Sequence, residues 1–144
     1  KSCHGEGNWY HQTGTHLFHF SLFSHKEGWV NGYASGIEAN HPLLISRKLS
    51  TGGTLNASHS FLSISDPLVS LSLVKKADAD NHLIIRLTEM EGKDKTVQIT
   101  LPADVKKVVR TNLIEDEIET IPGNGNVINV PLGHHAIETF KLIL

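Results

Sequence analysis

The stretch "DNHLIIRLTEMEGKDKTVQITLP" (Asp80 to Pro102) sets the frame. Two apolar, β-branched runs flank a short polar turn. A run of this length with period-two alternation cannot sit as a helix without scattering its apolar groups around the cylinder. The same grammar repeats to the C-terminus. Strands are predicted at His82 to Glu89, Thr96 to Leu101, Val105 to Thr111, Glu117 to Ile121, Asn126 to Val130 and Ile137 to Leu144. The turns between them read "EGKDK", "PAD", "IED", "PGNGN" and "PLGHH". Short strands separated by Gly, Pro, Asn and Asp turns predict an antiparallel β-sandwich of at least eight strands.

Upstream, Phe61 to Ile64 and Leu68 to Lys75 are further strand candidates. In the second, Val69, Leu71 and Leu73 face one way and Ser70 and Ser72 the other, a half-buried pattern. "KKADADN" is the best internal boundary. The run "GTHLFHFSLFSH" (Gly14 to His25) carries large apolar groups on both faces, which suits a strand covered on both sides. Gly28, Gly32, Gly36 and Pro42 predict a long connection from Lys26 to His41, with at most one helical turn, before a short strand at Leu43 to Ser46.

Composition excludes some function classes. The 144 residues are 39% apolar and 19% charged, a globular balance for one domain or two small β units. Net charge is −2 and no basic run exceeds two residues, which argues against nucleic acid and anionic membrane as partners. No apolar run reaches the roughly 20 residues that span a bilayer. The single cysteine, Cys3, cannot form an internal disulfide. The opening "KSCHGEGNWYHQTGTH" has neither an initiator Met nor a targeting pattern and reads as the start of a fragment.

Motifs for chemistry are sparse. Protonating all ten histidines would move net charge from −2 to +8, yet surface and turn roles explain them more simply than a pH switch. His16 and His19 diverge if extended, as do the adjacent His134 and His135, so no three or four ligands converge on a zinc ion. The acidic run Glu115 to Glu119 reads as a solvated hairpin turn, with no apolar wall to raise a pKa. There is no GxSxG, and "PGNGN" opens no helix and cradles no phosphate. Trp9, Tyr10, Trp29 and Tyr33 fall in loop-like segments, where packing competes with sugar stacking. "NAS" at Asn56 is an N-glycosylation sequon, relevant if the protein is secreted from a eukaryote.

These segments, in this order, resemble the C-terminal β region of glycoside hydrolase family 38, the α-mannosidases, in its cytosolic and bacterial branch. The resemblance runs from about Thr15 to Leu144. It rests on "GTHLFHFSLFSHKEGW", with Ser24 where a Pro is usual, and on "IEANHPLL". It rests also on the run that ends in Arg86, Leu87 and Glu89, on "VVRTNLIEDEIE" with Asn112 for an Asp, and on "AIETFKL". His134, His135 and Ala136 stand where Pro-Phe-Glu is usual.

The resemblance implies an all-β fold in which a galactose-mutarotase-like supersandwich part (residues 1–77) precedes a small C-terminal β-sandwich unit (78–144). It implies that the parent enzyme is a retaining, zinc-dependent α-mannosidase acting on terminal α-mannosides. The zinc and the catalytic barrel would lie outside this chain, leaving no cofactor, metal ligand or catalytic residue here. The partners implied are the barrel of the same chain and, through the parent, a mannose-containing glycan, with no nucleic acid or membrane. The branch points to the cytoplasm. Lys1 is read as a remnant of a Leu-Leu-Arg-Ser motif, and Trp9, Tyr10 and His11 as a loop approaching the substrate side. Apart from the resemblance, the β architecture and loop aromatics also suit a free-standing carbohydrate-binding or adhesion module. The His and acidic content alone would motivate an enzyme in its own right.

Overall fold

A computed structural model describes residues 13–47 and 52–144. The chain divides into two compact units, Lys1–Lys48 and Leu49–Leu144. In the first, the described residues contain one helix, α1 (Val30–Asn40). This differs from the predicted connection, and the reason lies in the glycines. Gly32 is not a breaker: the imidazole of His25 lies where its side chain would be, 2.6 Å from a Cβ built there. The helix is closed by His41, whose N–H reaches the carbonyls of Ile37 and Glu38. Pro42 follows and prevents continuation. Trp29 and Tyr33, placed in loops by the sequence, lie at the helix start, with rings edge to face at 6.0 Å.

The strands predicted at Gly14 to His25 and Leu43 to Ser46 are not formed among the described residues. A strand is completed by hydrogen bonds to a neighbour, and no other strand is present in residues 13–47. The apolar side chains of both runs stand in solvent: Phe20 is 92% exposed, Leu22 100% and Leu44 98%.

The second unit is the sandwich. Its strands are β1 (Ser63–Ile64), β2 (Val69–Lys76), β3 (Leu83–Glu89), β4 (Lys95–Val105), β5 (Lys107–Thr111), β6 (Glu117–Ile121), β7 (Gly125–Leu132) and β8 (Ile137–Ile143). They form two antiparallel sheets, one ordered β1-β4-β7 and one ordered β2-β3-β8-β5-β6. The predicted strand at Val105 to Thr111 is formed as β5 from Lys107 onward, and its first two residues lie at a corner of the sandwich. Only Lys106 separates β4 from β5, so the chain passes there from one sheet to the other.

The core follows from alternation. Val97, Ile99, Leu101 and Val105 of β4 and Ile128, Val130 and Leu132 of β7 point inward. They meet Ile85 and Leu87 of β3, Val108 of β5, and Phe140 and Leu142 of β8. In β2 the alternation is interrupted. A register shift between Leu71 and Leu73 accommodates an extra residue, and Leu71 is left 37% exposed. The β1-β4-β7 sheet presents Thr96, Gln98, Thr100 and Asn129 on its other face, an ordinary solvated surface.

The five-stranded sheet is different, because Ile84, Val109, Thr111 and Thr139 are buried outside the apolar cluster. The β5–β6 turn reaches across this face. Glu115 reaches from that turn to Lys75 on β2 at 2.6 Å, and Leu113 O accepts from Arg86 on β3 at 3.0 Å. Given the strand order, the turn spans β8 and β3 to make those contacts.

Candidate functional site

Lys1, Trp9, Tyr10 and His11 lie outside the described residues. Asn56 is exposed in an irregular segment. Among the described residues no group of three or more His, Cys, Asp or Glu is placed to hold a metal ion. In the first unit a cavity of about 320 Å³ is lined by His19, Phe20, Phe23, Gly36 and Ala39 among others, with no carboxylate or lysine.

The acidic run Glu115 to Glu119 is not a solvated turn throughout. The Glu115 side chain is only 11% exposed. Its carboxylate accepts from Lys75 and from the N–H of Asp78 at 2.8 Å, and in that order these contacts lower its pKa. Glu115 takes a left-handed φ of 72°, which turns the side chain back over the sheet. Glu117 pairs with Lys141 at 3.3 Å, and Lys141 also meets Asp80 at 2.6 Å. Glu119 lies 3.2 Å from Arg110.

The densest polar constellation is at the opposite end of β3. Leu83, Ile85, Leu87 and Glu89 share the inward face of the strand, so Glu89 is carried to the rim of the core with its side chain fully buried. Oε2 accepts the N–H groups of Gly92 (2.7 Å), Lys93 (3.1 Å) and His135 (2.9 Å). Oε1 accepts the N–H of Glu91 at 2.8 Å and faces Lys95 Nζ at 3.2 Å. Burial alone would raise the pKa of this carboxyl. The N–H groups of His135, Glu91 and Gly92, with the Lys95 ammonium, outweigh burial and bring it from the ordinary 4.5 down to about 2.

Lys95 ties three segments together. Its ammonium contacts Asp66 at 2.8 Å, Glu91 at 3.1 Å and Glu89. Its pKa is held well above the usual lysine range, chiefly by Asp66. Asp66 is lowered in turn by Lys95 and by the N–H of Leu68. Beside them, Asp94 Oδ1 accepts the N–H of His134 at 2.7 Å and meets its Nδ1 at 2.9 Å. Three turns, 65–68, 90–94 and 133–136, are thus joined at one end of the sandwich.

The chemistry open to this arrangement is limited. A general acid for glycoside hydrolysis needs a raised pKa, and a retaining pair needs two free carboxyls about 5 Å apart across a cleft. Each carboxylate with a resolved shift here is shifted downward, by a lysine, a histidine or backbone N–H groups. These groups hold turns; they do not exchange protons near neutral pH. In the sequence Glu89 carries no motif of its own. The signal that finds it is its phase, in register with Leu83, Ile85 and Leu87.

The class defined by this fold is an antiparallel β-sandwich module, with Glu89, Asp66 and Glu115 engaged by its own backbone N–H groups and lysines. Residues 68–140 match the family model described as the glycosyl hydrolases family 38 C-terminal beta sandwich domain, just over half of the chain. The chain belongs to that family. No curated protein matches it. The matched span runs from the start of β2 into β8 and contains Glu89, Lys95 and His135.

Proposed function

We propose that this chain is the noncatalytic C-terminal β portion of a retaining, zinc-dependent α-mannosidase and supports the enzyme's catalytic barrel. The family match supports this reading, since the matched domain is by its description the C-terminal beta sandwich of glycosyl hydrolases family 38. The observation that carries the noncatalytic reading is the state of the carboxylates. Glu89, the most buried of them, has both oxygens engaged, and Asp66, Glu91 and Glu115 are held by lysines. On this reading the zinc and the hydrolytic acids belong to parts of the enzyme outside this chain. On the same reading the first unit contributes to a larger β-sandwich, which accounts for the apolar side chains of Leu17, Phe20, Leu22, Leu43 and Leu44 standing in solvent. Glycan recognition is a property of the assembled enzyme.

The test is turnover of an aryl α-mannoside. The purified chain is expected to give none with or without added zinc, while the full-length enzyme is active. An enzyme lacking the region equivalent to 68–144 is expected to lose thermal stability of its activity. Chelator-sensitive turnover by the purified chain would overturn the reading.

A further inference from the structure

The contacts around Glu89 have the form of a ligand-binding site. Three successive N–H groups, those of Glu91, Gly92 and Lys93, converge on one carboxylate. A chain does this when a left-handed residue interrupts a turn and aims consecutive amides at one point, the arrangement that binds external anions elsewhere. Gly92 is that residue, at φ 82°. A fourth N–H, from His135, arrives from another turn, and His135 is itself left-handed at φ 52°. The Lys95 ammonium supplies the positive charge. The two turns also fit each other closely: the His135 ring occupies the space over Gly92, 2.6 Å from where a Cβ would stand.

We infer that this end of the sandwich is an anion site whose ligand is the chain's own Glu89 carboxylate, and that a free small carboxylate can take its place. The site offers four backbone donors, one cation and a buried position at the rim of the core. It is specific for a planar anion with two oxygens, because the donors divide between Oε1 and Oε2. Glu89 therefore acts as a positioning residue for turns 90–94 and 133–136, setting their mutual register through a carboxylate that both turns bind.

The test uses the whole chain with Glu89→Ala. Alanine keeps Cβ, and acetate supplies the missing methylene carbon and carboxylate. Thermal midpoints are read in sodium acetate and in sodium chloride of equal ionic strength at pH 7. The expected result is a midpoint for Glu89→Ala that rises by roughly 4–8 °C more in acetate than in chloride, with no such difference for the wild type. Equal responses in the two salts, or the same acetate gain in the wild type, would overturn the inference. Glu89→Gln provides a second measurement that does not depend on the alanine variant folding. Its amide exchange is expected to quicken at least about tenfold at Gly92, Lys93 and His135 and to stay unchanged at Val97 and Leu142. Unchanged protection at the three turn amides would overturn it equally.

Discussion

Two regions of this chain begin from the same kind of sequence and end differently. "HLFHFSLF" in the first unit and "HLIIRLTE" in the second are both apolar, alternating and flanked by polar turns. The second becomes β3, paired on both sides, with Ile85 and Leu87 inaccessible to solvent. The first stays unpaired among the described residues, with Phe20 and Leu22 in water. Local pattern therefore sets which residues can share a face. It does not supply the neighbouring strand that makes the face a core. The second unit brings its own neighbours within some 80 residues of β structure. It also closes its exposed ends with internal ion pairs and carboxylate-held turns.

The comparison can be broken most forcefully at the core. Phe140→Ala removes the largest fully buried side chain of the sandwich. It is expected to cost about 3–5 kcal/mol in a denaturant titration of the chain. Phe20→Ala in the first unit, the same chemical change on an exposed side chain, is expected to stay within about 0.5 kcal/mol. Equal effects would show that the two regions are not distinct in packing.

A second break uses acid. The pKa of Glu89 in the fold, about 2, lies below its ordinary 4.5. The stability this group contributes is therefore fully present above pH 4.5 and is lost as pH falls from there toward about 2. Urea midpoints of the wild type should drop across that window. Those of Glu89→Gln should start lower at pH 7 and fall less steeply, approaching the wild type near the acid end. Parallel acid limbs would contradict the geometry assigned to Glu89.

Gly92→Ala tests the turn itself. A side chain at φ 82° is disfavoured by about 1–2 kcal/mol, and the His135 ring must move to admit it. A thermal midpoint unchanged by this substitution would show the turn to be more permissive than its contacts indicate. The smallest expected effect has the opposite sign. Gly36 sits within α1 with nothing near its missing side chain. Gly36→Ala should strengthen the helix by about 0.5–1 kcal/mol, read as more ellipticity at helical wavelengths without a change in the sandwich transition.

Much of the sandwich was legible in advance because β2 to β8 combine period two with turn residues at short spacing. The predicted limits of β3, β5 and β6 differ from the observed ones by two residues or fewer. The helix α1 was not legible, because Gly32 and Gly36 read as breakers when Gly32 in fact makes room for His25. Glu89 shares the phase of Leu83, Ile85 and Leu87, but one of its four backbone donors, the N–H of His135, lies 46 residues away, a separation no local pattern encodes. The Glu115 turn was misjudged for the same reason. Its partner Lys75 lies across β8 and β3, and only the strand order brings the two together.

The most direct measurement of the central claim, that the second unit closes its own fold while the first does not, is native-state hydrogen exchange along the whole chain. Amides of Ile85, Leu87, Val97, Ile99, Val130, Phe140 and Leu142 should exchange only through global unfolding, and those of residues 15–24 at rates close to an unstructured peptide. Protection in residues 15–24 comparable with that of β3 would contradict it.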